Sequence, residues 1–191
     1  MSTSTLQDNR TETKSAAAAH LFTPFTLGGI TFRNRIAVSP MCQYSSTDGL
    51  ANEWHKVHLG SRAAGGAGLV MVEATAVEDR GRITLGDMGL WNDAQIAPLA
   101  DIARFLRQHG AVPGIQLAHA GRKASSHLPW EGGAPLSADE GAWRTVAPSA
   151  IPFNDSDPVP HELELSEIDR LIRSFVDAAK RAKEAGFEVI E

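Results

Sequence analysis

Cysteine is almost missing from this sequence. Cys42 is the single one, so no internal disulfide can form. Tyrosine is as scarce, with Tyr44 alone two positions further on. No group of residues has metal-ligand spacing: His55 and His58 share a predicted helix, but no third ligand is near them. No apolar stretch approaches the ~20 residues that span a bilayer, which argues against a membrane partner. Nor is there an excess of positive charge. The 18 Lys and Arg are outnumbered by 23 Asp and Glu, for a net charge of -5. With no basic cluster interleaved with aromatics, nucleic acid is excluded as a partner. A lone thiol and no export signal place the chain in a reducing compartment, the cytoplasm.

What is present suffices for one globular unit, since 42% of the residues are hydrophobic and 21% charged. Residues 1–19 are Ser, Thr, Gln, Asn and Ala with scattered charges, and lack the apolar centre of a signal peptide. They read as a disordered tail, and 20–191 as the folded part. Two short apolar pieces, Leu21 to Leu27 and Ile30 to Phe32, flank Gly28-Gly29 and predict a hairpin.

Beyond the hairpin, strands and helices alternate. Ile36-Ala37-Val38 is a short β-branched run, and Ser39, preceding Pro40, should finish it in extended geometry. Asn52 can cap a helix carrying Trp54, Val57 and Leu59 that stops at Gly65-Gly66. Gly68 to Val72 is a second buried strand ending in Glu73-Ala74-Thr75. Asn92 and Asp93 open a helix with Ile96, Leu99, Ala103 and Leu106 on one face, delayed or kinked by Pro98. Val112 to Ile115 is a third strand, running into Gln116 to His119. From Ala124 to Glu164 a Pro-, Gly- and Ser-rich stretch carries Trp130, Trp143 and Phe153, and reads as a lid or as a surface meander. Ser166 and Asp169 suggest a capping box for a long amphipathic helix that Gly186 closes, and Phe187 to Glu191 starts a fourth strand.

Such alternation is a parallel α/β order whose strands all end in polar residues, so one face collects the function. The fold expected is a (β/α)8 TIM barrel truncated at about the fourth strand, with the hairpin plugging its bottom.

Four motifs, in order, then point to a family. They are Asn34-Arg35-Ile36 with Ser39-Pro40-Met41-Cys42-Gln43-Tyr44; Val72 to Val77; Gly81-Arg82-Ile83-Thr84; and Gln116-Leu117-Ala118-His119-Ala120-Gly121-Arg122-Lys123. This set closely resembles the old yellow enzyme family of FMN-dependent ene-reductases, in the branch with Cys beside the flavin that includes the xenobiotic reductases. Trp130-Glu131-Gly132 and Ala147 to Ile151 fit that branch too.

The resemblance implies FMN as cofactor, NADPH or NADH as hydride donor, and an electron-poor alkene as the small-molecule substrate. It implies that Ser39, Pro40, Met41 and Cys42 line the flavin, with Ala74 beside it and Gln116 on its polar edge. Cys42 would tune the flavin rather than act as a nucleophile, the alternative being a small buried hydrophobe. Tyr44 would bind the substrate's activating group, the alternative being a half-buried tyrosine with a satisfied hydroxyl. His119 reads equally as structural; Arg122 and Lys123 as anion ligands or a solvated loop; Trp130 and Trp143 as pocket walls or anchors.

The family's substrate-binding His/His or His/Asn pair, proton-donating Tyr and flavin-phosphate ligands would lie beyond Glu191, and its dimers or tetramers would form largely there. The other readings are a related flavin barrel of the dienoyl-CoA reductase kind and a non-catalytic remnant.

Overall fold

The structure is a computed structural model that describes residues 20–191; the expected disordered tail lies outside the described residues. Strands β1 (Phe25–Leu27) and β2 (Ile30–Phe32) form the antiparallel hairpin. Gly28 and Gly29 turn it, at φ of 58° and 83°, the positive pair that a tight two-residue turn requires.

The chain then runs through β3 (Ala37–Val38), α1 (Glu53–Ala64), β4 (Leu69–Ala76), the short β5 (Met88–Gly89), α2 (Ile96–Gln108) and β6 (Val112–Ala118). After a long excursion bearing β7 (Val146–Ala147) and β8 (His161–Glu162), it enters α3 (Leu165–Glu184) and finishes in β9 (Val189–Ile190). Strands β3, β4, β6 and β9 lie side by side in chain order, all parallel. Sequential neighbours joined by helices are the winding of a (β/α)8 barrel, as expected.

One sheet face packs on the helices. Val70, Val72 and Ile115 meet Leu59 and Ala63 of α1, Leu99 and Leu106 of α2, and Ala182 of α3 in one core. On the other face Met71 stands beside Gly114, where an added Cβ would come within 2.1 Å of its sulfur.

Helix boundaries follow from local chemistry. The Asn52 side chain accepts the Trp54 N–H at 3.0 Å and starts α1. The Asn92 N–H donates to Gln95 Oε1 at 3.1 Å, and one 3₁₀ turn, Asp93–Gln95, precedes α2. Pro98 falls in the first α turn, whose N–H groups need no intrahelical partner, so it delays the helix without kinking it. The cap of α3 differs from expectation: the helix begins at Leu165 after Glu164, not at Ser166. Glu167 sets that start, accepting the Glu164 N–H at 3.0 Å while its Oε2 also lies 2.8 Å from His161 Nε2. β3 likewise stops at Val38, leaving Ser39 outside the ladder.

A single guanidinium ties the bottom together. Arg33 follows the hairpin and donates to the carbonyls of Ala63 (2.6 Å), Ala67 (2.8 Å) and His109 (2.8 Å). It thereby closes the carboxyl ends of α1 and α2 at once, where unpaired carbonyls and the helix dipoles favour a cation. Asn34 adds a bond to the Gly66 carbonyl at 2.7 Å and accepts the Ile36 N–H at 3.0 Å. The hairpin is therefore stapled under the sheet. Arg33→Ala is expected to lower unfolding stability by about 2 kcal/mol in urea denaturation. Arg33→Lys should recover less than half of that, because a point charge cannot span three carbonyls.

Candidate active site

The carboxyl ends of β3, β4 and β6 converge on the expected residues. Ala74 and Gln116 are register partners across β4 and β6, so their side chains leave the same sheet face together. Ser39 and Met41 are exposed beyond β3, and Cys42 is half-buried. The Tyr44 hydroxyl and the Ala74 backbone lie close enough to the Cys42 thiol to affect its ionisation. Ala74, Ala76, Ala118, Asp87 and His119 help to line a cavity of about 320 Å³ beside them.

Tyr44 is held in an unusual backbone. Its φ of 50° lies in the left-handed region, at a cost of roughly 1–2 kcal/mol for a residue with a Cβ. Strain of this kind persists where the surroundings over-determine it. Here Gly86 permits it, since a Cβ there would sit 2.5 Å from the Tyr44 carbonyl oxygen. The Tyr44 ring meets Trp130 edge-on at 6.0 Å between centroids.

Beneath this turn lie carboxyl groups that sequence reasoning did not assign. Glu73, 2% exposed, accepts the Gln43 N–H at 3.0 Å. It occupies a β-bulge: β4 pairs with β6 at Val72 and again at Ala74, and Glu73 is the extra residue between. Burial pushes its carboxyl up to about 7, against the pull of the Gln43 N–H, and nearby Asp87 raises it further. Asp87, also buried, accepts from the Ile83 N–H (2.6 Å) and the Thr84 hydroxyl (2.8 Å), and its carboxyl is raised by burial too. His55 Nε2 stands 3.8 Å from Glu73, but burial drives that imidazole down to about 4, so the two do not form an ion pair near neutrality. A lone carboxylate within an apolar strand was the available signal for Glu73. Asp87 sits in a loop with no pattern to mark it.

The remaining candidates make the following contacts. The Cys42 thiol is raised to about 11, chiefly by burial and then by Glu73, so it remains protonated. Gln116 Nε2 donates to Glu191 Oε1 at 2.8 Å. Arg122 and Lys123 are exposed, as a solvated basic loop would be; Arg122 also donates to the carbonyls of Ile151 and Pro152, both at 3.2 Å, while Lys123 lies over Phe153. His119 Nδ1 accepts the Gly121 N–H at 3.0 Å, and its ring fills the space beside Gly81. Trp143 anchors the excursion, donating to the Arg80 carbonyl at 2.8 Å, whereas Trp130 is 66% exposed and flanks Tyr44. Among the described residues no group of His, Cys, Asp and Glu could hold a metal ion, and no helix is long and apolar enough to cross a membrane.

A parallel βα sheet that gathers an amide, a thiol and a phenol around small residues at its strand ends is a barrel site for a small-molecule ligand. Comparison with known proteins gives the family. The family model described as NADH:flavin oxidoreductase / NADH oxidase matches residues 20–191. An NADPH dehydrogenase of Geobacillus thermodenitrificans is 47% identical over 173 residues, which are 90% of this chain and 46% of that protein. An NADH:flavin oxidoreductase of Gibberella zeae is 48% identical over 189 residues, 97% of this chain and 46% of its own. Among solved structures, morphinone reductase is similar at TM-score 0.76 and 27% identity, over 92% of this chain and 48% of that one. The old yellow enzyme from Trypanosoma cruzi is similar at TM-score 0.73 and 29% identity, over 90% and 50%. The chain belongs to the NADH:flavin oxidoreductase / NADH oxidase family, and it spans about half the length of the relatives it matches.

Two outcomes follow from the site's electrostatics. Cys42 should react with iodoacetamide at pH 8 about 100-fold more slowly than an unperturbed cysteine, because the thiolate fraction falls by that factor; a rate near that of free cysteine would refute the burial described. Glu73 gains its proton more readily in the folded chain than in the unfolded one. Its contribution to stability is therefore full below about pH 4.5 and is lost as pH rises through about 7. Glu73→Gln escapes that loss, so its stability relative to the parent should rise across this window, by on the order of 3 kcal/mol in urea denaturation at successive pH values.

Proposed function

We propose that this chain carries the flavin-flanking part of an FMN-dependent oxidoreductase that uses NAD(P)H to reduce activated C=C bonds of enones, nitro compounds or related xenobiotics. The observation that carries the reading is the meeting of Ser39 to Cys42, Ala74 and Gln116 at the ends of consecutive parallel strands. FMN supplies, when bound, the capacity to accept hydride from a nicotinamide and deliver it to an electron-poor carbon.

The residues fit a planar heteroaromatic ring. Ala74, Ala76 and Ala118 leave an open floor that larger side chains would fill. Gln116 offers an amide that donates and accepts at once, suited to the ring's alternating polar edge. Ser39, Pro40 and Met41, which follow β3, would line the ring from the neighbouring strand end, with Pro40 stiffening the turn. Cys42, held as a thiol, presents a polarizable neutral group and not a nucleophile. The Tyr44 hydroxyl would donate to a carbonyl or nitro oxygen and so polarise the conjugated bond. The tetrahydroNAD complex of morphinone reductase supports a nicotinamide as donor. The assembly expected is a homodimer or homotetramer.

The test is a titration of the chain with FMN, followed by flavin fluorescence, with turnover of cyclohexenone measured under NADPH and NADH. Weak saturable binding and no turnover are expected for the 191 residues. Ala74→Trp should weaken that binding by about tenfold or more, since overpacking costs 1–3 kcal/mol. Absence of saturable binding would overturn the flavin reading. Tight stoichiometric binding, or steady reduction of cyclohexenone, would overturn the assignment of these residues to only part of the site.

A further inference from the structure

Glu73 has a location that neither packing nor pairing explains. A strand interior disfavours a carboxylate, and burying one without a cation is costly. On one edge of β4, β6 pairs along the full length. On the other edge β3 pairs only at Leu69 and Val70, and β5 only at Thr75 and Ala76. Between them that edge is free of strand partners. The bulge places Glu73 in this gap, and the turn after β3 crosses it. The backbone N–H of Gln43, which would otherwise be left without a ladder, is drawn to the one carboxylate at 3.0 Å, and the Tyr44 backbone follows directly.

We propose that Glu73 is the positioning residue of this site: ionised, it clamps the Gln43–Tyr44 backbone and so presents the Cys42 thiol and Tyr44 hydroxyl together, and protonated, it relaxes that turn. The roles given to Cys42 and Tyr44 rest on the flavin reading above; the clamp itself does not. A carboxylate that accepts a backbone N–H does so with charge assistance, and protonation turns one of its oxygens into a donor. The left-handed backbone of Tyr44 is what the clamp must hold.

The groups facing Glu73 favour a transition near neutrality. From α1 comes His55, kept neutral by burial, with Nε2 also 3.4 Å from Ser46 Oγ. From the segment before β5 comes the Asp87 carboxylate, and from the turn itself come Cys42 and Tyr44. Burial raises the Tyr44 hydroxyl and the Cys42 thiol above their ordinary values, so neither ionises between pH 5 and 9.

Because Tyr44 is the only tyrosine, fluorotyrosine incorporation gives one ¹⁹F resonance that reports on this turn alone. Measured without flavin from pH 5 to 9, that resonance should shift with a midpoint near 7. The shift should be absent in Glu73→Gln, whose amide still accepts an N–H but does not titrate. It should persist in Asp87→Asn with a lower midpoint, because a neighbouring negative charge has been removed. A parent resonance that does not move over this range, or a shift kept unchanged in Glu73→Gln, would overturn the proposal. If Glu73→Gln does not fold, the Asp87→Asn midpoint decides: a shift to lower pH supports the clamp, and an unmoved midpoint overturns it. Since no flavin is present, these results stand apart from any failure of FMN binding.

Discussion

The parallel pairing of β4 with β6 is the constraint on which the site depends. It aligns seven residue pairs, from Leu69 with Val112 to Ala76 with Ala118, and skips once. Before the skip, Val70, Val72 and Ile115 are committed to the helix-covered core. After it, Ala74 and Gln116 emerge side by side at the strand ends. A slip of one residue would exchange the two faces, burying Gln116 and exposing Ile115. The register is thus fixed by core packing, and the site inherits its geometry from that packing.

Below the sheet, Arg33 performs a complementary task. Its three carbonyl partners belong to two segments far apart in the chain, Ala63 to Ala67 and His109, so the hairpin, α1 and α2 share one point of closure. Stability is concentrated at that end, while the strained Tyr44 and the buried carboxyls lie at the other. This division is common in barrels, where one face is built for stability and the opposite one for chemistry.

Much of this was legible in the sequence because it rests on local chemistry. Gly28-Gly29 encodes its turn, Asn52 and Asn92 their helix starts, and the apolar runs at Val70 and Ile115 their strands. Cys42 and Tyr44 drew notice by their place just past a strand, whereas Ala74 and Gln116 were picked out only by the motifs that resemble the family. What escaped notice depends on distant partners. Arg33 looked like any charged residue beside a hairpin until two helix ends met it. Glu73 looked like a strand terminus because a bulge cannot be seen without the partner strand. Glu164 replaced Ser166 as the residue before α3 because Glu167 is also engaged by His161, itself brought near by the fold of the excursion. Arg122 bonds from the surface to carbonyls of a loop thirty residues on, which no spacing rule describes.

The excursion after β6 is pinned at its stem. Ser126 N–H bonds the Ile83 carbonyl, the Trp143 N–H bonds Ser125 Oγ, and the Arg82 guanidinium lies 5.3 Å from the rings of both Trp91 and Trp143. The backbone hydrogen bonds of its tip, by contrast, stay within the excursion, and Trp130 reaches from there to the edge of Tyr44. Stem and tip are therefore separable units of change. An exchange of residues 127–142 between relatives can retune what approaches Tyr44 while the root of the lobe keeps its seat, so diversity in ligand preference can accumulate here without repacking the barrel.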